Sequence, residues 1–182
     1  MELFYKKITT IIGKLRLVST HDAMVAIVWE YETPHRVKLD AMIEDEQQPL
    51  LLQTEKKLME YFAGERTSFN IPLKLVGSEF QRNVWQTLQE IPYGMTVSYG
   101  NIAARIAKPL AVRAVGTAIG RNPIAIIIPC HRVIGQNGCS GSFSGKLHVK
   151  KTLLDLERVE GWETGASSTP LPIWNFKCHQ ND

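Results

Sequence analysis

The stretch IIIPCHRVIGQNG, residues 126–138, places a thiol, an imidazole and a guanidinium side by side in Cys130, His131 and Arg132. An apolar run precedes them and a Gly-Gln-Asn-Gly turn follows, which predicts a buried strand over 124–129 and a hairpin beyond the turn. A free thiol with a pKa of about 8.5 is mostly protonated at neutral pH, whereas its thiolate is the nucleophile. Because a neighbouring cation or base stabilises a thiolate, Cys130 is the candidate nucleophile.

A proton relay from Cys130 to His131 needs more than adjacency. In an extended segment successive side chains point to opposite faces, so the relay would need a backbone turn or a bridging water. His131 would also need an orienting carboxylate, and the candidates in this half of the chain are Glu90, Asp155 and Glu157. These parts permit two reaction classes, hydrolysis of an acyl substrate or direct displacement at carbon by the thiolate, and the residues alone do not separate them.

The other two cysteines, Cys139 and Cys178, are interpreted as structural or unremarkable thiols. A zinc site built from Cys130-His131 and Cys178-His179 lacks the standard ligand spacings, so we expect no metal. Three cysteines in a chain of 182 residues indicate reduced thiols in a cytosolic protein.

Length and composition indicate an ordinary globular protein with one large or two small domains. The chain is 44% hydrophobic and 21% charged. Its longest apolar run, 124–128, is too short to cross a membrane, and the start MELFYKKITT has no secretory signal. We expect a cytoplasmic protein without a membrane partner.

The charge is unevenly distributed along the chain. Residues 1–75 carry 10 basic and 11 acidic side chains, whereas residues 80–152 carry nine basic side chains and one acidic one, a surplus of eight. A basic half beside a neutral half favours a polyanionic partner, with nucleic acid first in line. The alternative is a solvated face without a partner.

Hydrophobic periodicity divides the chain near residue 75. The first part predicts strands within 6–20 and 23–32 and a helix over 53–64. The second part predicts four helices, the second of them capped by Ser98. They span 79–91, 99–107, 110–121 and 148–157.

The helices over 99–107 and 110–121 are joined by a short Lys-Pro turn, which fits a helix-turn-helix. Residues spaced by three and four give the later helix two faces. The core face would carry Val112, Val115 and Ile119, and the other face Arg113, Gly116, Thr117, Gly120 and Arg121. Small side chains between two cations permit close approach to a DNA groove, although the two glycines could instead permit close packing against another helix.

Several segments together resemble the O6-alkylguanine-DNA alkyltransferases, also called methylated-DNA–protein-cysteine methyltransferases. The active-site signature of that family is similar to IPCHRVI, residues 128–134. The order and spacing of the family also match the segments 80–106, 113–123 and 145–157. The resemblance is strong over residues 79–157 and faint over the N-terminal third.

The resemblance implies an α/β (α+β) fold with two domains. Residues 1–75 would form an N-terminal ribonuclease-H-like sheet domain. Residues 76–160 would form a mainly helical, winged helix-turn-helix-type domain that binds DNA and accepts the alkyl group, and residues 161–182 a C-terminal tail. Over the N-terminal domain we expect no zinc.

The resemblance also implies the catalytic roles. Cys130 would accept the alkyl group from O6 of guanine, once per protein molecule. His131, through a water, would deprotonate the thiol while Glu157 holds the imidazole. Tyr99 would lie near the 3′ phosphate, assist base rotation and serve as a proton source to the departing guanine. No cofactor is needed for this transfer.

The implied partner is double-stranded DNA that contains O6-alkylguanine, bound by a monomer. Arg113 would insert where the flipped base had been, because the target atom cannot be reached inside the stack. The remaining contacts fall into two groups. The DNA contacts would be Tyr99, Arg113, Ala114, Gly116, Thr117 and Arg121, and the alkylguanine pocket Asn122, Val133, Phe143 and Ser144.

The sequence departs from the family pattern in the loop after the signature. Ser142-Phe143-Ser144-Gly145-Lys146 stands where a Gly-Tyr pair and two later glycines are usual, and Thr117 stands where a second glycine is common. These departures bear on substrate range and rate. Two alternative functions stay open. One is a non-catalytic alkyltransferase-like protein that binds lesions, although such proteins lack the acceptor cysteine that is present here as Cys130. The other is a cysteine hydrolase on a similar scaffold.

Overall fold

The N-terminal part is a four-stranded sheet. The structure is a computed structural model, and it describes residues 1–32, 39, 41–135 and 147–159. The strand order is β3-β2-β1-β4, antiparallel from β3 to β1, with β4 parallel to β1. The strands are β1 (Leu3–Thr10), β2 (Gly13–Ser19), β3 (Met24–Trp29) and β4 (Met42–Glu44).

The predicted strands within 6–20 and 23–32 are confirmed. Thr10 pairs with Gly13 across the β1–β2 hairpin, and the Thr10 hydroxyl donates to the Gly13 carbonyl at 2.8 Å. Gly13 has φ +105°, a conformation that glycine adopts without the clash of a Cβ atom. The turn therefore fixes the register that buries Leu15 and Leu17.

Helix α1 (Pro49–Phe62) begins four residues before the predicted helix. Its start depends on Gln48, whose side chain accepts from Leu51 N at 2.8 Å, and on a proline in the first turn, where no amide hydrogen is needed. Leu58 and Tyr61 are fully buried. The predicted helix is therefore confirmed, and it packs against β1 and β2.

The C-terminal part is helical, as predicted. Ser78 and Ser98 each accept from a backbone amide three residues on, and a side chain from the same position returns the bond. These capping boxes begin the first two helices, and the indole of Trp85 donates to Ala118 O at 2.9 Å between two of the helices. The helices are α2 (Glu79–Leu88), α3 (Tyr99–Arg105), α4 (Val112–Gly120) and α5 (Leu147–Leu156).

The predicted strand over 124–129 is wrong. Asn122 bends this segment, because its side-chain amide donates to Ile128 O at 2.8 Å and its oxygen accepts from Ile124 N at 3.0 Å. Ile126 consequently has φ +73°, which is strained for a β-branched residue. The apolar run is buried as expected, but as a tight turn, and isolated apolar runs do not distinguish the two.

This turn docks on the N-terminal sheet. Ile27 N donates to Pro123 O at 2.9 Å, and Ala125 N donates to Ile27 O at 3.2 Å. One hydrophobic core includes residues from both parts, such as Leu17 and Trp29 beside Val115 and Ile119. The segment that leads to Cys130 is thus held by both halves of the molecule.

Two short parallel strands were not predicted, β5 (Val97–Ser98) and β6 (Val133–Ile134). With two residues each they have no periodicity to detect. The predicted hairpin beyond the Gly-Gln-Asn-Gly turn and the tail over 161–182 lie outside the described residues. No helix in the described part of the chain is long and apolar enough to cross a membrane.

Candidate active site

Cys130, His131 and Arg132 form a single turn of 3₁₀ helix. Cys130 N donates to Ile128 O at 2.8 Å and Arg132 N donates to Pro129 O at 3.0 Å. All three side chains are buried, Cys130 being 1% and His131 0% exposed. The extended geometry that would separate thiol and imidazole is therefore replaced by a turn.

Glu157 lies at the centre of a buried polar cluster. Its Oε1 accepts from His131 Nε2 at 2.7 Å and from Arg132 Nη2 at 2.9 Å. Its Oε2 accepts from Arg132 Nε at 2.9 Å and from Gly94 N at 3.2 Å. Of the three candidate carboxylates, the structure brings Glu157 to His131, whereas Glu90 pairs with Arg105 and Asp155 with Lys151.

A fourth partner of Glu157 comes from the N-terminal part. The Tyr61 hydroxyl, on α1, donates to Glu157 Oε1 at 2.7 Å. Burial raises the pKa of Tyr61 well above its ordinary value, and the charge of Glu157 raises it further. Tyr61 therefore stays a neutral donor at physiological pH.

Burial and charge together set the protonation states of the cluster. Burial alone would raise the pKa of Glu157, but the neighbouring His131 and the guanidinium of Arg132 hold it well below its usual range. Burial lowers the pKa of His131, and the attraction of Glu157 opposes this only in part. Arg132 is consequently the cation that keeps Glu157 ionised, and His131 is neutral at neutral pH.

The neutral imidazole has a defined tautomer. An ionised carboxylate can only accept, so His131 Nε2 is the donor to Glu157. Nδ1 then carries the free lone pair, and it is buried without a hydrogen-bond partner among the described residues. A basic nitrogen is thus available in the residue that follows Cys130.

Lys150 on α5 is a second buried cation that the sequence interpretation missed. Its Nζ donates to Val133 O at 2.8 Å. Burial lowers the pKa of Lys150 to about 8, and the negative charge of a Cys130 thiolate acts in the opposite direction. The signal was present in the spacing, because Lys150, Leu153 and Leu154 share the buried face of the helix.

Arg132 joins the cluster to the segment that follows α2. Its Nη1 donates to Ile91 O at 2.7 Å, and its guanidinium lies 5.8 Å from the centre of the Tyr93 ring. Burial raises the pKa of Tyr93, and the charge of Glu157 adds to that effect. Arg132 thus contributes hydrogen bonds and positive charge to the cluster.

The two predicted pocket residues that the structure describes lie before and after the Cys130 turn. Asn122 is fully buried and holds the turn that precedes Cys130, and Val133 is fully buried in β6. Phe143 and Ser144 lie outside the described residues. Tyr99 is the first residue of α3, directly after β5, so the pairing of β5 with β6 places its backbone beside the strand that follows Arg132.

The exposed face of α4 differs in part from the predicted one. Arg113, Ala114, Thr117 and Arg121 are exposed. Gly116 is buried with Val115 and Ile119, so its placement on the outer face is corrected. Val112, expected in the core, is 39% exposed at the first position of the helix.

No group of three potential metal ligands occurs among the residues that the structure describes. Cys139, Cys178 and His179 lie outside them. The described residues at this site are a buried thiol, an imidazole with a free nitrogen, and a carboxylate held ionised by a guanidinium.

Models of one family match both parts of the chain. The 6-O-methylguanine DNA methyltransferase, ribonuclease-like domain, matches residues 3–75, and the DNA binding domain of the same family matches residues 79–159. The Haemophilus influenzae methylated-DNA–protein-cysteine methyltransferase is 38% identical over 183 residues, 98% of each chain. The Mycolicibacterium paratuberculosis protein of that name is 60% identical over 103 residues, 57% of this chain and 62% of its own length, less than two thirds.

Solved structures show the same architecture. The Mycobacterium tuberculosis OGT in complex with DNA has a TM-score of 0.75 and 40% identity, over 88% of this chain and 98% of that one. The O6-methylguanine methyltransferase of that organism has a TM-score of 0.74 and 38% identity, over 94% and 97%. Fold and site thus define a class, an α+β protein with a ribonuclease-like sheet and a helical part that carries the cysteine. The chain belongs to the 6-O-methylguanine DNA methyltransferase family.

Proposed function

We propose that this protein repairs DNA by moving the alkyl group from O6 of a guanine to Cys130, once per protein molecule. The observation that carries the proposal is the buried Cys130-His131 turn whose imidazole is held at 2.7 Å by Glu157, in a chain of this family. The neighbouring α4 presents Arg113 and Arg121 to solvent. A nucleophile and a surface suited to a polyanion thus occur in the same half of the chain.

The transfer is a displacement at carbon. The S–C bond to Cys130 forms as the bond between carbon and O6 breaks, and the electron pair stays with guanine. The thiol proton passes through a water to Nδ1 of His131, and the Tyr99 hydroxyl supplies a proton to the departing base. The product thioether has no easy leaving group, so the protein is consumed and needs no cofactor.

DNA binding in this proposal uses the exposed face of α4 in the minor groove. Arg113 fills the space of the flipped base, and Ala114, Thr117 and Arg121 contact the duplex. Asn122, Val133, Phe143 and Ser144 form the pocket. The protein acts as a cytoplasmic monomer, with residues 1–75 and 76–160 as its two domains.

Intact mass tests the proposal. The protein is incubated with a duplex that contains one O6-methylguanine, and with the same duplex unmodified. We expect one methyl group per protein, mapped to Cys130 and absent from Cys130→Ala. An unchanged mass with tight lesion binding would instead indicate a damage-binding protein, and repeated turnover of an ester or amide would indicate a hydrolase.

A further inference from the structure

The contact between Tyr61 and Glu157 joins the two parts of the protein at the reaction centre. The residues are 96 positions apart, one on α1 in the sheet part and one just after α5. Tyr61 is 0% and Glu157 2% exposed. Because both side chains are shielded from solvent, this 2.7 Å hydrogen bond lies in a low-dielectric environment, where it is electrostatically stronger than in water.

Tyr61 and His131 use the same oxygen of that carboxylate. Oε1 accepts from the Tyr61 hydroxyl and from His131 Nε2, both at 2.7 Å, and from Arg132. Oε2 accepts from Arg132 and from the Gly94 amide. Each donor on Oε1 withdraws negative charge from it, so the Tyr61 bond weakens the attraction that a protonated His131 would feel.

We propose that Tyr61 is a positioning residue of the transfer reaction: its hydroxyl fixes Oε1 of Glu157 and so keeps His131 neutral, ready to accept the thiol proton. The inference rests on the proposed function and adds a contribution from the ribonuclease-like part of the chain. Tyr61 acts through Glu157 and His131, without itself touching the reacting atoms.

The charged and titratable groups around His131 support this assignment. Arg132 and Lys150 both disfavour the imidazolium, and Glu157 favours it. The groups that face the His131–Glu157 pair come from α1, the segment after α2, the 3₁₀ turn and α5: Tyr61, Tyr93, Cys130, Arg132 and Lys150. Tyr61 is the one among them whose hydroxyl donates to Glu157, and this donor can be removed while the ring, its packing and every formal charge stay in place.

Tyr61→Phe isolates the hydroxyl. The ring contacts of Tyr61 with Phe62, Phe69 and Tyr93 can all be kept by phenylalanine. Phe62→Leu is the matched control, because it alters an aromatic contact of Tyr61 in the same helical turn but leaves the hydroxyl bond. Single-turnover rates of methyl transfer to an O6-methylguanine duplex are measured from acid to neutral pH.

We expect the acidic limb of the Tyr61→Phe profile to move to higher pH. Without the hydroxyl, Oε1 holds the imidazolium more strongly, and a shift on the order of one pH unit corresponds to about a tenfold change in proton affinity. The rate then falls about tenfold on the limb and converges with wild type on the plateau. Phe62→Leu should keep the wild-type midpoint. A rate lowered by the same factor at every pH, or an unchanged profile, overturns the proposal.

Two further measurements keep this inference separate from the proposed function. Titration of the His131 imidazole by NMR needs no DNA, and its midpoint should rise in Tyr61→Phe even if the wild type transfers no methyl group. If Tyr61→Phe does not fold, all five tyrosines can be replaced by 3-fluorotyrosine, a more acidic phenol and hence a stronger donor. The His131 midpoint should then fall, and an unchanged midpoint would refute the role of Tyr61.

Discussion

The charged groups around Glu157 are buried and paired, whereas those on the outer face of α4 are exposed to solvent. At Glu157, one buried carboxylate accepts from Tyr61, His131 and Arg132. On α4, Arg113 and Arg121 are exposed, and no carboxylate of the described residues pairs with either. One region satisfies its charges inside the protein, and the other leaves them to solvent.

The difference follows from what each region has to do. A buried base must have a fixed tautomer and protonation state before substrate arrives, so its partners have to belong to the protein. A surface for DNA has to exchange counterions for phosphates, so internal ion pairs would weaken it. We therefore expect substitutions to cost folding free energy at Glu157 and DNA affinity on α4.

The largest expected effect on stability is that of Arg132→Met. Removing this guanidinium leaves the Glu157 carboxylate buried without its cation, and breaking a buried pair in this way costs about 3–5 kcal/mol of the free energy of unfolding. Urea unfolding at neutral pH measures it. Arg105→Met is the matched control, since its pair with Glu90 is partly exposed and is worth about 1 kcal/mol or less. An equal loss of unfolding free energy in the two variants would contradict the view that the buried pair is the more important one for stability.

A second effect is the loss of stability in acid. Because the folded pKa of His131 lies below its ordinary value, the unfolded chain binds a proton below about pH 6.5 that the folded protein does not. His131 therefore contributes stability above that pH, which is lost as the pH falls toward the folded pKa, by at most about 1.4 kcal/mol per pH unit. Glu157, whose pKa is also depressed, adds a further loss below its unfolded value of about 4.3.

Urea unfolding at several pH values compares wild type with His131→Gln. The difference between their free energies of unfolding should be constant above about pH 7 and shrink below about pH 6.5. A difference that stays constant down to about pH 5 would mean that folding does not lower the pKa of His131, and a difference that grows as the pH falls toward about 6.5 would mean that His131 is already protonated in the folded protein.

The same two regions differ in how much the sequence predicts. On α4, local spacing was enough to place Arg113, Thr117 and Arg121 on one exposed face, because a helix repeats every 3.6 residues. It failed for Gly116 and Val112, at the edges of the face, where burial depends on neighbouring helices. The prediction that Ser98 caps α3 also depended only on local sequence, and it is confirmed.

Around Glu157, local sequence patterns predicted few of the contacts. The resemblance to a family named Glu157 as the partner of His131, and spacing alone left three carboxylates open. Tyr61 reads as an ordinary core residue beside Leu58, and its bond to Glu157 joins positions 96 apart. The segment over 124–129 has the composition of a strand, but the side chain of Asn122 supplies hydrogen bonds that bend it. The first of these contacts exists only once the two parts have packed, and the second depends on the conformation of one side chain.

The smallest expected effect on stability is that of Arg113→Ala and Arg121→Ala. Exposed side chains of this kind change the free energy of unfolding by about 0.5 kcal/mol or less. DNA binding should respond, because each lost phosphate contact lowers the slope of log affinity against log salt by about one. Anisotropy over a salt series measures the slope, with Lys14→Ala, exposed on β2, as a control that leaves it unchanged.

Arg113 and Arg121 should also differ from each other. A side chain that fills the space of a flipped base contributes less to the salt slope than one on a phosphate, but its loss slows transfer even when DNA is saturating. We therefore expect Arg121→Ala to change mainly the slope and Arg113→Ala mainly the single-turnover rate. If both variants change the slope alone, α4 acts as a plain phosphate-binding face, and base rotation must depend on another part of the protein.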